Sequence, residues 1–210
     1  MRSYEADGGR GRRVRGASTA WAGPAALLFV LVAAGAGGAP HAPDPAGAGA
    51  SAAQPPDPCA AFSWDVRRER TLFSEVPQKL TAGAFPADAP AIALDRLYEL
   101  ALVPHSQVRF AATPGRSGST EAQAGLAALS LASVGDYRVA LDQPIWVDVI
   151  AHGTAIPSRD FQGRRGCRAP HKVVEFELPA RTPLTLQFSA GDAASVRVAV
   201  LRAPPSNEKT

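Results

Sequence analysis

The sequence predicts an all-β domain, an antiparallel two-sheet sandwich of jelly-roll type that opens with a short helix and stands behind a signal peptide and a disordered linker. Three observations predict it. Apolar residues recur with a period of two in several short runs, the mark of strands with one buried face. The later runs are joined by short, turn-rich connections with no helix-length crossover, which disfavours a parallel βαβ design. Alanine, glycine and proline crowd into residues 16–58 and thin out afterwards, so the core-forming part of the 210-residue chain follows Pro58.

Residues 1–36 read as the leader. Arg10, Arg12, Arg13 and Arg15 give a positive start, and Leu27-Leu28-Phe29-Val30-Leu31-Val32 is the centre of an apolar stretch from about Trp21 to Ala36. Ala34-Gly35-Ala36 fits a small-residue cleavage site. The stretch is short and interrupted by Gly23 and Pro24, so cleavage is expected over retention as an anchor. Residues 37–58 carry recurrent proline and no hydrophobic anchors, as expected of a flexible tether. The domain is expected over 59–203, with a flexible tail over 204–210.

Only Cys59 and Cys167 are present. After an export leader an even pair is expected to bridge; two buried thiols are the rival reading. Residues 60–75 suggest a short helix capped by Ser63, with Phe62, Val66 and Phe73 near one face and Arg67, Arg68 and Arg70 outside it. Residues 76–93, with Pro77, Pro86 and Pro90, are expected to be irregular. Strands are expected at 96–103, 107–112, 125–131, 136–141, 145–151, 172–178, 183–189 and 195–202. Tyr137, Val139 and Leu141 alternate with Arg138 and Ala140; Val174, Phe176 and Leu178 alternate with Glu175 and Glu177, which are expected to face solvent. Asp142-Gln143-Pro144 looks like a hairpin turn, Pro179–Thr182 is expected to join another pair of strands, and Gly191-Asp192 marks a third turn. A β-barrel is the structural alternative.

The net charge of +3 belongs to the leader; beyond residue 36 basic and acidic side chains are equal in number. A neutral domain gives no electrostatic case for nucleic acid, and membrane contact is expected only through an uncleaved leader. Among candidate metal ligands, His105, His152, His171 and Glu175 stand out. Asp148 and His152, like His171 and Glu175, are four apart and would share a strand face. No H-x-H cluster, G-x-S-x-G elbow or phosphate-loop glycine pattern occurs, so neither a catalytic residue nor a cofactor is expected. Residues 158–172 form a long arginine-rich loop holding one cysteine. Arg164, Arg165, Arg168 and His171 are its candidate ligand contacts, suited to an anionic or carbohydrate ligand. Trp146 is either an exposed stacking surface or a half-buried outer-face residue.

The stretches CAAFSWDVRRERTLF, DRLYELAL, GDYRVALDQPIWVDV and DFQGRRGCRAPHKVVEFELP resemble a group of small exported proteobacterial proteins of unknown role. The resemblance covers residues 59–202. Members often carry the label homogentisate 1,2-dioxygenase, which implies a non-haem iron site of two histidines and a glutamate, with iron as cofactor. The residues themselves lead to the expectation of a periplasmic or secreted, non-catalytic binding or structural module. Its partner is expected to be a small ligand, a glycan or an envelope protein.

Overall fold

A computed structural model describes residues 57–205. The expected leader, residues 37–56 of the linker and residues 206–210 of the tail lie outside the described residues. Twelve strands are described: β1 Gln78–Thr81, β2 Ala91–Ile92, β3 Leu97–Ala101, β4 Val103–Pro104, β5 Gln123–Leu129, β6 Gly135–Leu141, β7 Trp146–Ala151, β8 Thr154–Ile156, β9 Ser158–Gly163, β10 Lys172–Leu178, β11 Leu184–Gly191 and β12 Ser195–Arg202. They form two sheets, ordered β1-β3-β12-β6-β10-β9 and β2-β5-β11-β7-β8, with β4 also on β5.

The expected sandwich is present, and the period of two builds its core. Tyr137, Val139 and Leu141 of β6, Val174, Phe176 and Leu178 of β10, and Val196, Val198 and Val200 of β12 point between the sheets. They meet Val147 and Val149 of β7 and Leu184, Leu186 and Phe188 of β11. Each large apolar side chain so buried contributes about 1.5–3 kcal/mol.

The sheets are mixed rather than wholly antiparallel. β1 runs parallel to β3, and β2 parallel to β5. Both pairs are joined by connections long enough to leave the sheet and return in the same direction. β1, β2, β8 and β9 lie where no strand was expected, whereas the strand expected at 107–112 does not form. Val108 N and Arg109 N bond to the backbone carbonyls of His105 and Ala84, and from Ala112 onward the backbone bonds to side chains. Gln187, fully buried on the outer face of the second sheet, accepts from Ala112 N and donates to Ala112 O at 3.3 and 3.2 Å. Ser189 Oγ donates to Arg116 O at 2.9 Å, and Gly115 N donates to Asp148 Oδ2 at 3.0 Å. A Cβ on Gly115 would lie 2.8 Å from both Asp148 Oδ1 and Trp146 Nε1, so this close approach requires glycine.

The three expected turns all carry the chain between sheets. Residues 142–145 lead from β6 to β7, 179–183 from β10 to β11, and 192–194 from β11 to β12, each across the sandwich. Side chains tie the first of these to β12. Asp142 accepts from Arg197 N at 2.9 Å and from its Nε at 3.2 Å, and the Gln143 amide donates to Ser195 O. Hairpins form elsewhere. His152 and Gly153, at φ 50° and 75°, turn β7 into β8, and β9 turns into β10.

A second apolar layer covers the outer face of the first sheet. The α-helix α1 spans Arg67–Phe73, shorter than expected, after a 3-10 turn at Pro58–Ala61. Ser63 does not cap α1; Asp65 Oδ1 accepts from Arg67 N at 3.0 Å. Trp64, Val66, Leu72 and Phe73 pack on Leu97, Ala140, Val173, Ala199 and Leu201. This layer buries outward-pointing charges. Arg138, 1 % exposed, donates from Nε to Glu175 and from Nη1 to Glu69, both at 3.2 Å, and from Nη1 to Asp65 O at 2.9 Å. Its guanidinium lies 4.6 Å from the centre of the Trp64 ring. Glu175, expected in solvent, is therefore 3 % exposed, while Glu177 stays 65 % exposed.

Two outcomes are expected of this cluster. Arg138→Met leaves two buried carboxylates without their cation and should lower unfolding free energy by about 3–5 kcal/mol in urea. Burial raises the pKa of Glu69 above 4.5, against the pull of Arg138 and Arg68. A raised carboxyl stabilises the fold fully below its unfolded pKa and loses that contribution as pH rises through the folded value. Wild type minus Glu69→Gln stability should thus fall as pH rises from 4.5 towards neutrality.

Candidate functional site

The arginine-rich segment 158–172 is half strand and half turn. β9 pairs with β10 in the register Gly163↔Lys172, Phe161↔Val174 and Asp160↔Glu175, so the loop shrinks to residues 164–171. Two side chains cap the open edge of β9. Phe161 N donates to Asp160 Oδ1 at 2.7 Å, and Arg164 Nη1 donates to Gly163 O at 3.0 Å. Such capping discourages addition of a further strand.

The turn is fixed from within. Arg164 N donates to His171 O at 2.8 Å and Cys167 N to Arg164 O at 3.2 Å; Gly166 takes φ 84°. Cys167, 1 % exposed, forms a disulfide with Cys59 at an S–S distance of 2.01 Å and a Cα–Cα distance of 5.0 Å. The bond spans 108 positions of sequence and brings the start of the domain onto the turn. Asp57 then holds the 3-10 turn through Cys59 N at 2.8 Å and pairs with Arg70 at 2.9 Å. The Cys59 amide, then Arg70, lowers its pKa.

Around the bridge, β9 and the turn grip residues 61–64. The Gln162 side chain accepts from Ser63 N at 3.0 Å and Trp64 N at 3.4 Å, and donates to Ser63 Oγ at 2.6 Å. Arg164 Nε donates to Ala61 O, with the guanidinium 5.5 Å from the Phe62 ring centre. The four residues proposed from sequence as ligand contacts therefore divide. Arg164 is occupied by the N-terminal segment. His171 is half-buried, with Nδ1 at 3.2 Å from Cys167 O. Arg165 and Arg168 are exposed, and their side chains have no hydrogen-bond or ion-pair partner among the described residues. Arg168 is still anchored through its backbone, since its carbonyl accepts from Arg197 Nη2 at 3.2 Å.

Lys172 follows the turn. Its Nζ donates to Ile145 O at 3.2 Å and lies 5.2 Å from the Trp146 ring centre. Burial, then the charge of Arg116, lowers its pKa. Trp146 is half-buried rather than an open platform, and its Nε1 donates to Asp148 Oδ1 at 2.8 Å.

The metal-ligand candidates are not brought together. β7 ends at Ala151, leaving His152 exposed in a turn, and His171 precedes β10, so neither shares a strand face with its carboxylate as expected. His105 lies in a 3-10 turn against Phe110, with ring centres 5.0 Å apart. Glu175 is closed beneath α1 by Arg138. Among the described residues no group of three or more His, Cys, Asp or Glu side chains is placed to hold a metal ion. The set of two histidines and a glutamate that the dioxygenase resemblance implies is not assembled.

The polar pairings that sequence reasoning missed are Arg138 with Glu69, and Asp148, expected beside His152, with Gln187. Arg138, Asp148 and Gln187 signalled only an outward position on a strand, and Glu69 only a position on the short helix, and neither reveals what covers that face. Compared with known proteins, the chain matches no protein-family model and no curated sequence.

Replacing both cysteines, Cys59→Ser with Cys167→Ser, should cost about 4–5 kcal/mol by the loop-entropy relation, read from urea unfolding against oxidised wild type. Reductant should lower the wild type towards the variant and leave the variant unchanged.

Proposed function

We propose that this chain is an exported, periplasmic or secreted binding module without a catalytic role, which meets anionic groups of its partner through the turn at 164–171. The observation that carries this reading is the pair of exposed, acid-free arginines, Arg165 and Arg168, on a turn held by a disulfide and backbone hydrogen bonds. A fixed turn loses little conformational entropy on binding, so its contacts translate more fully into affinity. Arginine suits the role because its planar fork matches carboxylate, sulfate and phosphate oxygens. The disulfide favours export, since such bonds persist in oxidising compartments. The arginine-led apolar leader supports the same placement. The partner is an acidic glycan or other polyanionic surface outside the cytosol.

The test uses protein expressed with its own leader and recovered from the extracytoplasmic fraction. Thiol titration without reductant should find no free sulfhydryl. Binding to an immobilised acidic polysaccharide should fall about tenfold or more in Arg165→Gln with Arg168→Gln, with a shallower salt dependence. Retention of the chain in the cytosol, or undiminished binding by the double variant, overturns the reading.

A further inference from the structure

We infer a second anion site, separate from the turn, at Arg202. Arg202 ends β12 beside Tyr137 and lines a cavity of about 550 Å³ with Arg68, Asp136 and the Ala203–Pro205 segment. Arg67, Arg68, Arg70, Arg138, Arg159 and Arg197 each have a carboxylate within 4.0 Å. Arg202 has none among the described residues. Neutral groups position it instead. Nη1 donates to Ser133 Oγ at 2.7 Å, Nη2 donates to Val134 O at 3.3 Å, and the guanidinium lies 5.7 Å from the Tyr137 ring centre. Of five guanidinium N–H groups these bonds use two, so three remain for a ligand. The fork is thus aimed while no carboxylate among the described residues neutralises its charge.

The surroundings suit an anion. Gly135 borders the guanidinium, and a Cβ there would lie 2.8 Å from Nη2, so glycine keeps that approach open. Asp136 would repel an anion, but Arg159, shared with Glu177 at 3.5 Å, engages its carboxylate at 2.7 Å. Ala203 N is already bonded to Asp136 O at 2.9 Å, and Pro204 and Pro205 have no N–H, so this wall offers mainly apolar surface. Arg68 borders the cavity, its Nη2 on Asp95 at 2.8 Å and its Nη1 on Arg202 O at 3.3 Å. The volume falls in the range of small-molecule sites. The ligand is therefore a small organic molecule whose carboxylate or phosphate sits on Arg202 and whose body lies along the proline wall.

The site is tested on the isotope-labelled full chain by NMR titration with inorganic phosphate and, separately, acetate. Saturable shifts at the Gly135, Arg202 and Ala203 amides are expected with at least one probe, and the better probe identifies the oxyanion class. Arg202→Gln should weaken that binding about tenfold or more. Arg202→Lys, which keeps the charge and loses the fork, should fall between. Arg165→Gln with Arg168→Gln should leave it unchanged, so failure here is distinguishable from failure at the turn. Shifts that never saturate with either probe overturn the site, as does wild-type affinity in both Arg202 variants.

Discussion

The covalent tie between Cys59 and Cys167 is the constraint on which the outer architecture depends. It fixes where the N-terminal segment enters the domain, on the turn that closes the β9–β10 hairpin. From there Arg164 and Gln162 guide residues 61–64 along β9. Trp64 arrives over Arg138, and α1 lies down on the first sheet. Without the tie, the burial of Trp64 and Phe62 and a set of mostly exposed polar contacts, individually weak in water, would have to order this segment.

What α1 covers explains why its placement matters. Arg138, Glu69 and Glu175 are drawn out of water together, at a desolvation cost that their mutual attraction offsets only while all three remain in place. Such a cluster sets position better than it adds stability. A helix shifted by one turn would leave Glu69 away from Arg138 and bury unpaired charge. The second sheet uses a related device with fewer ionic groups. Gln187, Ser189 and Asp148 accept or supply the hydrogen bonds of an irregular segment that brings no strand of its own. Both outer faces of the sandwich are thus closed by non-strand segments held through polar side chains. Arg165 and Arg168 at the turn and Arg202 at the end of β12 stand outside these arrangements, without an acidic partner among the described residues.

The core was legible in the sequence because inward and outward positions alternate strictly along β6, β10 and β12. The connections were not. A two- to four-residue turn rich in proline, glycine and aspartate serves equally to reverse a strand within one sheet or to pass it to the other. The choice depends on which neighbour supplies the hydrogen bonds, as Asp142 and Gln143 do with β12. β9 was hidden for a related reason. Its polar, arginine-bearing composition reads as loop, and only the free edge of β10 makes it a strand. Half of the candidate turn was legible too: its arginines and cysteine stood out by composition, but not which arginines would be occupied.

Taken alone, the residue order determined a strand-built domain, the inward faces of its main strands and the pair of cysteines available to bridge. These follow from local periodicity and composition, which are properties of the chain itself. Only the tertiary structure decided that Glu175 is buried while Glu177 is exposed, that His105, His152 and His171 form no metal-holding group, and that Arg165, Arg168 and Arg202 lack acidic partners among the described residues. Burial and pairing depend on what segments distant in sequence place against a residue, and a period of two says only which way a side chain points.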